Sequence, residues 1–418
     1  MGKTVPYIKR GLFDIAIENI FSCFSFPNPT ALIQSMASIT STHQGETLRV
    51  LFWCELFPPS NRGGVEMFGL QLIHELQRRG IEVKVVCDFG PEPVEAVAEY
   101  EGVCVHRFPI REALNTGNLA RLKTSVQGIN DIFRDWQPDL VHMNTLEPGV
   151  FAYLRATERK SCATVLTLHY AISNPLFSGK LQQQVINEAD SVVAISDHIF
   201  GAFVDLFPKH ESKAHKILNG LGMPFGKPAP MPDGPLKLFS AGLLCTEKGF
   251  DLVLDALAIL DDPRIRWTLA GSGPEEKNLL DQCRNLGLTD RVEFLGRVSW
   301  AEVYEQIDQS HLVAVPSRWQ EPFGLVALQA LQRARPVVAS ARGGLPEIVD
   351  HGINGWLFDP VDAETLARQI GNCAGDLNPL KEMGKVGRLR AEKEFTIERM
   401  ADQYLELFLQ TLALKHGH

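Results

Sequence analysis

The sequence predicts an α/β protein built as two doubly wound halves, and three observations carry this. Short apolar runs bounded by turn residues alternate with stretches of helical hydrophobic period, the order that makes parallel sheets. The first such unit, residues 49–87, reads strand, glycine-containing loop, helix, strand. A Pro- and Gly-containing stretch, KPAPMPDGPLK at 227–237, then reads as a linker, after which a fresh strand starts at Leu236. A chain of 418 residues is long enough for two domains of ordinary size plus extensions.

In the first half, residues 49–54 read as a buried strand and ELFPPSNRGGVE as the loop after it. Phe68, Leu72, Ile73 and Leu76 repeat with helical period, and Arg79-Gly80 closes that helix. Residues 81–87 form the next strand. The loop is not GxGxxG and is too long for a tight dinucleotide turn, which counts against a nicotinamide enzyme. A long amphipathic helix is marked by Leu119, Leu122, Val126, Ile129, Ile132, Phe133 and Trp136. Strands at 140–143 and 191–195 follow, with Ser196-Asp197 as a helix cap. His142 and His169 lie at the ends of apolar runs, where parallel strands face a ligand crevice; a lone His there is more often structural.

In the second half, residues 265–270 read as a strand and Gly271-Ser272-Gly273-Pro274 as a turn into a helix. Ser299 and Glu302 have capping-box spacing. The most informative stretch is PSRWQEPFGLVALQALQRARPVVASARGGLPEIVDHGING, 316–355. A strand ends at Pro316, a loop runs to Pro322, and a helix opens near Phe323 because Leu325, Leu328 and Leu331 repeat at helical spacing. Phe323, Gly324 and Leu325 then offer free backbone N–H groups, an anion site of the helix N-terminus type suited to a diphosphate. Glu321 and Gln329 bracket it. A strand at 336–339 and a turn at Gly343-Gly344 follow. On pattern alone the stretch is equally an ordinary αβ unit with a tight turn.

The composition is globular, with 45% hydrophobic and 22% charged residues. A net charge of −9 without a long basic run argues against a nucleic-acid partner. The eight cysteines form no close pair of metal-knuckle spacing and read as reduced, buried thiols of a cytoplasmic protein. No apolar run is long enough to span a bilayer. Asp14, Glu18 and Asn19 interrupt the apolar N-terminal run, which argues against a secretory signal. That segment reads as a helix packed on the protein, with peripheral contact at a membrane surface as the alternative.

EPFGLVALQAL, at 321–331, resembles the signature of retaining, nucleotide-sugar-dependent glycosyltransferases of family four, whose fold is the two-domain GT-B. GGLPEIVDHGINGWLF and segments reaching back to Leu51 are similar to that family too, so the resemblance spans all but roughly the first 45 residues. It implies two Rossmann-like domains facing across a cleft. Residues 1–47 are then an extension and 48–228 the acceptor domain. Residues 229–394 are the nucleotide-sugar domain, and 395–418 a helix returning to the first domain.

The resemblance also implies roles. Gly63 and Gly64 form the glycine loop near donor and acceptor, and His169 stands near the reacting sugar. Gly242 and Lys248 belong to a GRL…KG motif, and Gly271 to a GDGP turn near base and ribose. Backbone of Arg297 and Val298 meets the base. The diphosphate meets Lys248 and the Phe323, Gly324 and Leu325 amides, the sugar hydroxyls meet Glu321, and the ribose meets Gln329. His169, Lys248 and Glu321 are the catalytic candidates.

The chain departs from the family pattern at three places. Leu243 stands where an Arg is usual, Gln329 where a second Glu is usual, and Gly222 where an Asp is usual. The implied activity is metal-independent transfer of a sugar from a nucleoside diphosphate sugar to a glycan, lipid or small-molecule acceptor. The donor is a co-substrate; no cofactor is implied, and no Asp-x-Asp metal motif occurs. The departures leave a second reading, a homologue that binds nucleotide or glycan with weak or no transfer. A sugar-nucleotide epimerase or phosphorylase on the same fold is a third.

Overall fold

A computed structural model describes residues 47–60, 63–90, 93–147, 149–171 and 179–417. The N-terminal helical reading and its membrane alternative lie outside the described residues. Strands of the first sheet are β1 (Arg49–Trp53), β2 (Glu82–Asp88), β3 (Val97–Tyr100), β4 (Val103–Phe108), β5 (Leu140–Met143), β6 (Ala163–Leu168), β7 (Ser191–Ala194) and β8 (Ala214–Lys216). Helices α1 (Gly64–Arg78), α2 (Ile110–Thr116), α3 (Leu119–Trp136), α4 (Val150–Arg155), α5 (Lys180–Glu188) and α6 (Asp197–Leu206) connect them. The order is β3-β4-β2-β1-β5-β6-β7-β8, parallel except for the antiparallel pair β3–β4.

The second sheet holds β9 (Lys237–Ala241), β10 (Arg266–Ala270), β11 (Val292–Gly296), β12 (Leu312–Val315), β13 (Val337–Ser340) and β14 (Gly355–Phe358). Its order is β11-β10-β9-β12-β13-β14, all parallel. Its helices are α7 (Phe250–Leu260), α8 (Glu276–Asn285), α9 (Trp300–Asp308), α10 (Leu325–Gln332), α11 (Leu345–Ile348), α12 (Ala363–Gly375) and α13 (Asn378–Glu394), and α14 (Ile397–Lys415) ends the chain.

Strand β1 shows why both faces of the first sheet are covered. Leu51 and Trp53 enter one apolar cluster, and Val50 and Phe52 enter another on the opposite face. Chain order reverses direction beside β1, between β2 and β5, and beside β9, between β10 and β12. Those switch points open a crevice at the carboxyl ends of the strands, where ligands bind in such sheets. The loops after β1 and β9 carry the glycine loop and Lys248 there.

Helix α14 packs on α1 and β6, and its Met400, Tyr404 and Phe408 complete the cluster that holds Phe52 and Phe68. Each such fully buried side chain contributes about 1.5–3 kcal/mol. The chain therefore crosses between the two sheets twice, and the crossings touch. Leu221 pairs with Thr396 in a parallel bridge, with Leu221 N–H to Phe395 O at 3.0 Å and Ile397 N–H to Leu221 O at 3.2 Å. A Cβ at Gly220 would stand 2.1 Å from the Thr396 carbonyl oxygen, so the crossing admits only glycine there.

Two sequence readings shift. Helix α10 begins at Leu325, not Phe323, because Gly324 adopts φ 108° and stands outside it as the cap. Pro322 consequently lies in the loop ahead of the helix and not in its first turn. The hairpin β3–β4 and helix α2 were not anticipated; β3 is largely exposed and carries no apolar run.

Candidate active site

The loops after β9 and β12 bring Lys248 and Glu321 together across 73 residues. Lys248 Nζ donates to Glu321 Oε1 at 2.9 Å and to Oε2 at 2.8 Å. Oε2 also accepts from Ser317 Oγ at 2.8 Å and from the Trp319 indole N–H at 3.0 Å. The ammonium lies 5.3 Å from the centre of the Trp319 ring. Burial would raise the Glu321 pKa, but the Lys248 charge and these donors outweigh it and hold the carboxyl below its usual range. The site thus carries a fixed ion pair at neutral pH.

Glycines allow this geometry. Gly249 follows Lys248 at φ +68°, and a Cβ there would stand 2.2 Å from the Pro316 carbonyl oxygen. Gly343 sits at φ +59° with its Cβ position 2.1 Å from the Glu321 oxygen. Gly344 N–H donates to Glu321 O at 2.7 Å, and Gly343 N–H to Gln320 Oε1 at 2.7 Å. The Gly343-Gly344 turn is therefore the mould for the Glu321 loop.

Beside the pair, α10 points its N-terminus into the cleft. The N–H groups of Phe323, Gly324 and Leu325 have no protein acceptor among the described residues. A Cβ at Gly64 would come 3.0 Å from Leu325 Cδ1, so the glycine loop of the first domain faces this end across the cleft. Gly63 is the cap of α1. Gln329 is one helical turn beyond Leu325 and only 3% exposed. The hydroxyl of Tyr304 bonds Gln332 at 2.6 Å and lies within reach of Gln329.

A third set forms where β9, β10 and β11 end. Gly271 N–H donates to Gly296 O at 2.7 Å, and a Cβ at Gly271 would collide with Gly242 O at 1.9 Å. These turns lead into Arg297, which is exposed, and Val298, which is half-buried. The predicted capping box of Ser299 and Glu302 is present at the start of α9.

His169 stands at the end of β6, facing the same crevice. Its Nε2 lies 2.9 Å from Asn144 Oδ1, and the edge-on Phe68 ring is 4.8 Å away. Burial pushes its pKa down to about 3, so the ring is neutral. His142 is also held at about 3, by burial and then by His169, and bonds Thr167 at 2.8 Å. Next to His169, the hydroxyl of Tyr170 has its pKa raised by burial and by the carboxylates of Glu66, Glu147 and Glu321. The Glu321 charge thus reaches Tyr170 across the cleft, after the larger effects of burial, Glu66 and Glu147.

Neither Arg318 nor Arg297, the arginines of the neighbouring loops, supplies the cation that Leu243 lacks. Arg318 is engaged with Asp251 through both guanidinium nitrogens. Arg297 is on the surface, and Leu243 itself is 59% exposed. Gly222 donates its N–H to Gln71 Oε1 at 2.9 Å, a backbone contact that needs no side chain at that position. Ser317, Trp319, Asn144 and Tyr170 were not singled out from sequence; Ser317 and Trp319 lie inside the informative stretch, but no spacing rule marks them.

Among the described residues, no group of three or more His, Cys, Asp or Glu converges on a common point. No described helix is long and apolar enough to cross a membrane.

Two family models tile the chain. The one for Glycosyltransferase Family 4 matches residues 62–221, and the one for Glycosyl transferases group 1 matches 227–390. The chain belongs to glycosyltransferase family 4. Glycogen synthase of Mycobacterium tuberculosis is 28% identical over 410 residues, covering 88% of this chain and 96% of that protein. HepE of Anabaena, solved in complex with UDP-glucose, is 25% identical with a TM-score of 0.69, covering 86% of this chain and 98% of that one. Sucrose-phosphate synthase of Thermosynechococcus elongatus gives a TM-score of 0.76 at 21% identity, over 88% and 100% of the two chains. The fold is GT-B.

Proposed function

We propose that this family 4 member transfers a sugar, with retention and without a metal, from a nucleoside diphosphate sugar to a glycan, lipid or small-molecule hydroxyl. The observation that carries the reading is the Lys248–Glu321 pair set beside the 323–325 amides, which have no acceptor among the described residues, opposite Gly63-Gly64. The bond from the anomeric carbon to the diphosphate breaks, and negative charge grows on the leaving oxygen. Lys248 and the amides at the positive end of α10 stabilise that charge, which is larger in the transition state than in the bound donor. The acceptor oxygen bonds to the same face of the anomeric carbon, and its proton passes to the departing diphosphate.

In this scheme Glu321 holds the ammonium in place and receives sugar hydroxyls, and neutral His169 orients the reacting sugar by hydrogen bonding. Gln329 takes the ribose. The backbone of Arg297 and Val298 takes the base, and Gly242 and Gly271 keep that wall thin. UDP-glucose is the first donor to try, because HepE binds it. A second reading, binding without turnover, is favoured by exposed Leu243 and by the capture of Arg318 by Asp251.

The test is UDP and GDP affinity together with release of UDP from UDP-glucose and of GDP from GDP-mannose across an acceptor panel, with and without EDTA. Turnover unaffected by chelator supports the proposal. Binding without product leaves the second reading, and loss with EDTA that magnesium restores removes the metal-free mechanism.

A further inference from the structure

Glu347 makes a contact that the donor chemistry above does not use. It lies on α11 in the second domain, and its Oε1 accepts from the Asp197 N–H at 2.8 Å, at the start of α6 in the first domain. The His198 N–H also faces this carboxylate. Ser196 supplies the ordinary cap by accepting from Ile199 N–H at 3.3 Å. The first turn of α6 is thus completed by a carboxyl group from the other domain, which accepts where the helix leaves its first N–H groups without an intrahelical partner.

The contact continues inward through the backbone. Glu347 N–H donates to Gly344 O at 3.0 Å, and Gly344 N–H to Glu321 O at 2.7 Å. Glu321 then holds Lys248. Glu347 Oε2, in contrast, is buried with no partner among the described residues. A buried carboxyl oxygen left without a protein donor is costly, and a static scaffold gains nothing from it. Opening the domains would return that oxygen to water. The groups facing Glu347 are Asp197 and His198 of α6 and Lys216 of β8, which pairs with Asp197 at 2.6 Å. Arg390 of α13 holds the Glu347 carbonyl at 2.9 Å.

We propose that Glu347 is a positioning residue for glycosyl transfer: by completing the first turn of α6 it docks the second domain on the first and aims the Glu321–Lys248 pair at the acceptor side. The inference rests on the transferase reading above. It is tested on the full chain with wild type, Glu347→Ala and Glu347→Gln, by UDP release from UDP-glucose with the acceptor panel, by UDP titration and by small-angle scattering. Glu347→Ala should lower kcat at least tenfold while UDP affinity and donor KM stay within twofold, because the nucleotide groups sit in one domain. Its radius of gyration should exceed that of wild type. Glu347→Gln keeps an acceptor oxygen and should recover at least half of kcat.

A kcat for Glu347→Ala within twofold of wild type, a parallel loss of UDP affinity, or a Gln variant no better than Ala would each overturn the proposal. If wild type releases neither UDP from UDP-glucose nor GDP from GDP-mannose, the transferase reading fails, and scattering decides the docking role. That role stands if only the Ala variant expands and falls if its profile superimposes on wild type.

Discussion

Removing Lys248 should do two separable things. Lys248→Ala takes from Glu321 its charge partner and, among the described residues, the one donor to Oε1, while Ser317 and Trp319 remain at Oε2. Breaking a fully buried pair costs about 3–5 kcal/mol. Here two neutral donors persist, each worth about 1 kcal/mol, and the Lys248 side chain is partly exposed, so a loss of about 2 kcal/mol is expected. For a domain of this size that is a fall in Tm of about 4–8 °C. Glu321→Gln alone should cost about 1 kcal/mol, since Lys248 can turn to water. Adding it to Lys248→Ala removes the stranded charge and should recover half or more of the loss.

Scanning calorimetry on wild type, both single variants and the double variant reads this cycle. In parallel, Lys248→Ala should slow transfer at saturating donor by at least about tenfold, roughly 1.4 kcal/mol. A melting temperature for Lys248→Ala within about 1 °C of wild type, well inside the expected shift, would refute the argument. So would a double variant less stable than the single.

Leu243→Arg adds a cation at an exposed position and should tighten UDP binding several-fold, up to about tenfold, by isothermal titration; unchanged affinity would show that the position does not face the diphosphate. His142 and His169 have folded pKa values near 3, below the usual 6.5, so the unfolded chain alone takes up their protons on acidification. Their stability is full above about pH 6.5 and falls toward pH 3, by about 2 kcal/mol each at pH 5. The urea midpoint should drop between pH 7.5 and 5, and drop less in His142→Asn; equal drops would count against it. Glu347 behaves oppositely. Burial raises it to about 7, against the Asp197 N–H that favours the charged form, so the folded chain holds its proton longer and stability falls as pH rises from about 4.5 to 7. Glu347→Gln should therefore gain on wild type at pH 8 but not at pH 5 in thermal melts, and a constant difference would contradict this.

Most of the layered architecture was legible because β1 and β5 are buried on both faces and read as continuous apolar runs, while the helices bury one face each, which writes itself into local periodicity. Strand β3 was not, because Val97 to Tyr100 lies at the sheet edge and is held by pairing with β4 alone. The start of α10 was misplaced by two residues, since a positive φ at Gly324 leaves no trace in hydrophobic spacing. Lys248 and Glu321 could be named through the resemblance, but their mutual bond could not, because it joins loops from strands adjacent only after folding. The same holds for the engagement of Arg318 by Asp251, which removes an otherwise reasonable stand-in for the missing arginine. Glu347 escaped notice for that reason too: its partner is 150 residues away, in the other domain.

The return of α14 to the first domain has a consequence for how the protein is made. Phe52 and Phe68 emerge from the ribosome before the second domain, yet Met400, Tyr404 and Phe408, which cover them, are synthesised after it. The second domain has its whole sheet and helices α7–α13 before the first domain can close its core. Synthesis order and completion order are therefore reversed. The early half must wait, partly uncovered, while the later half folds on its C-terminal side, a window in which a holding chaperone would act on the first domain and not the second.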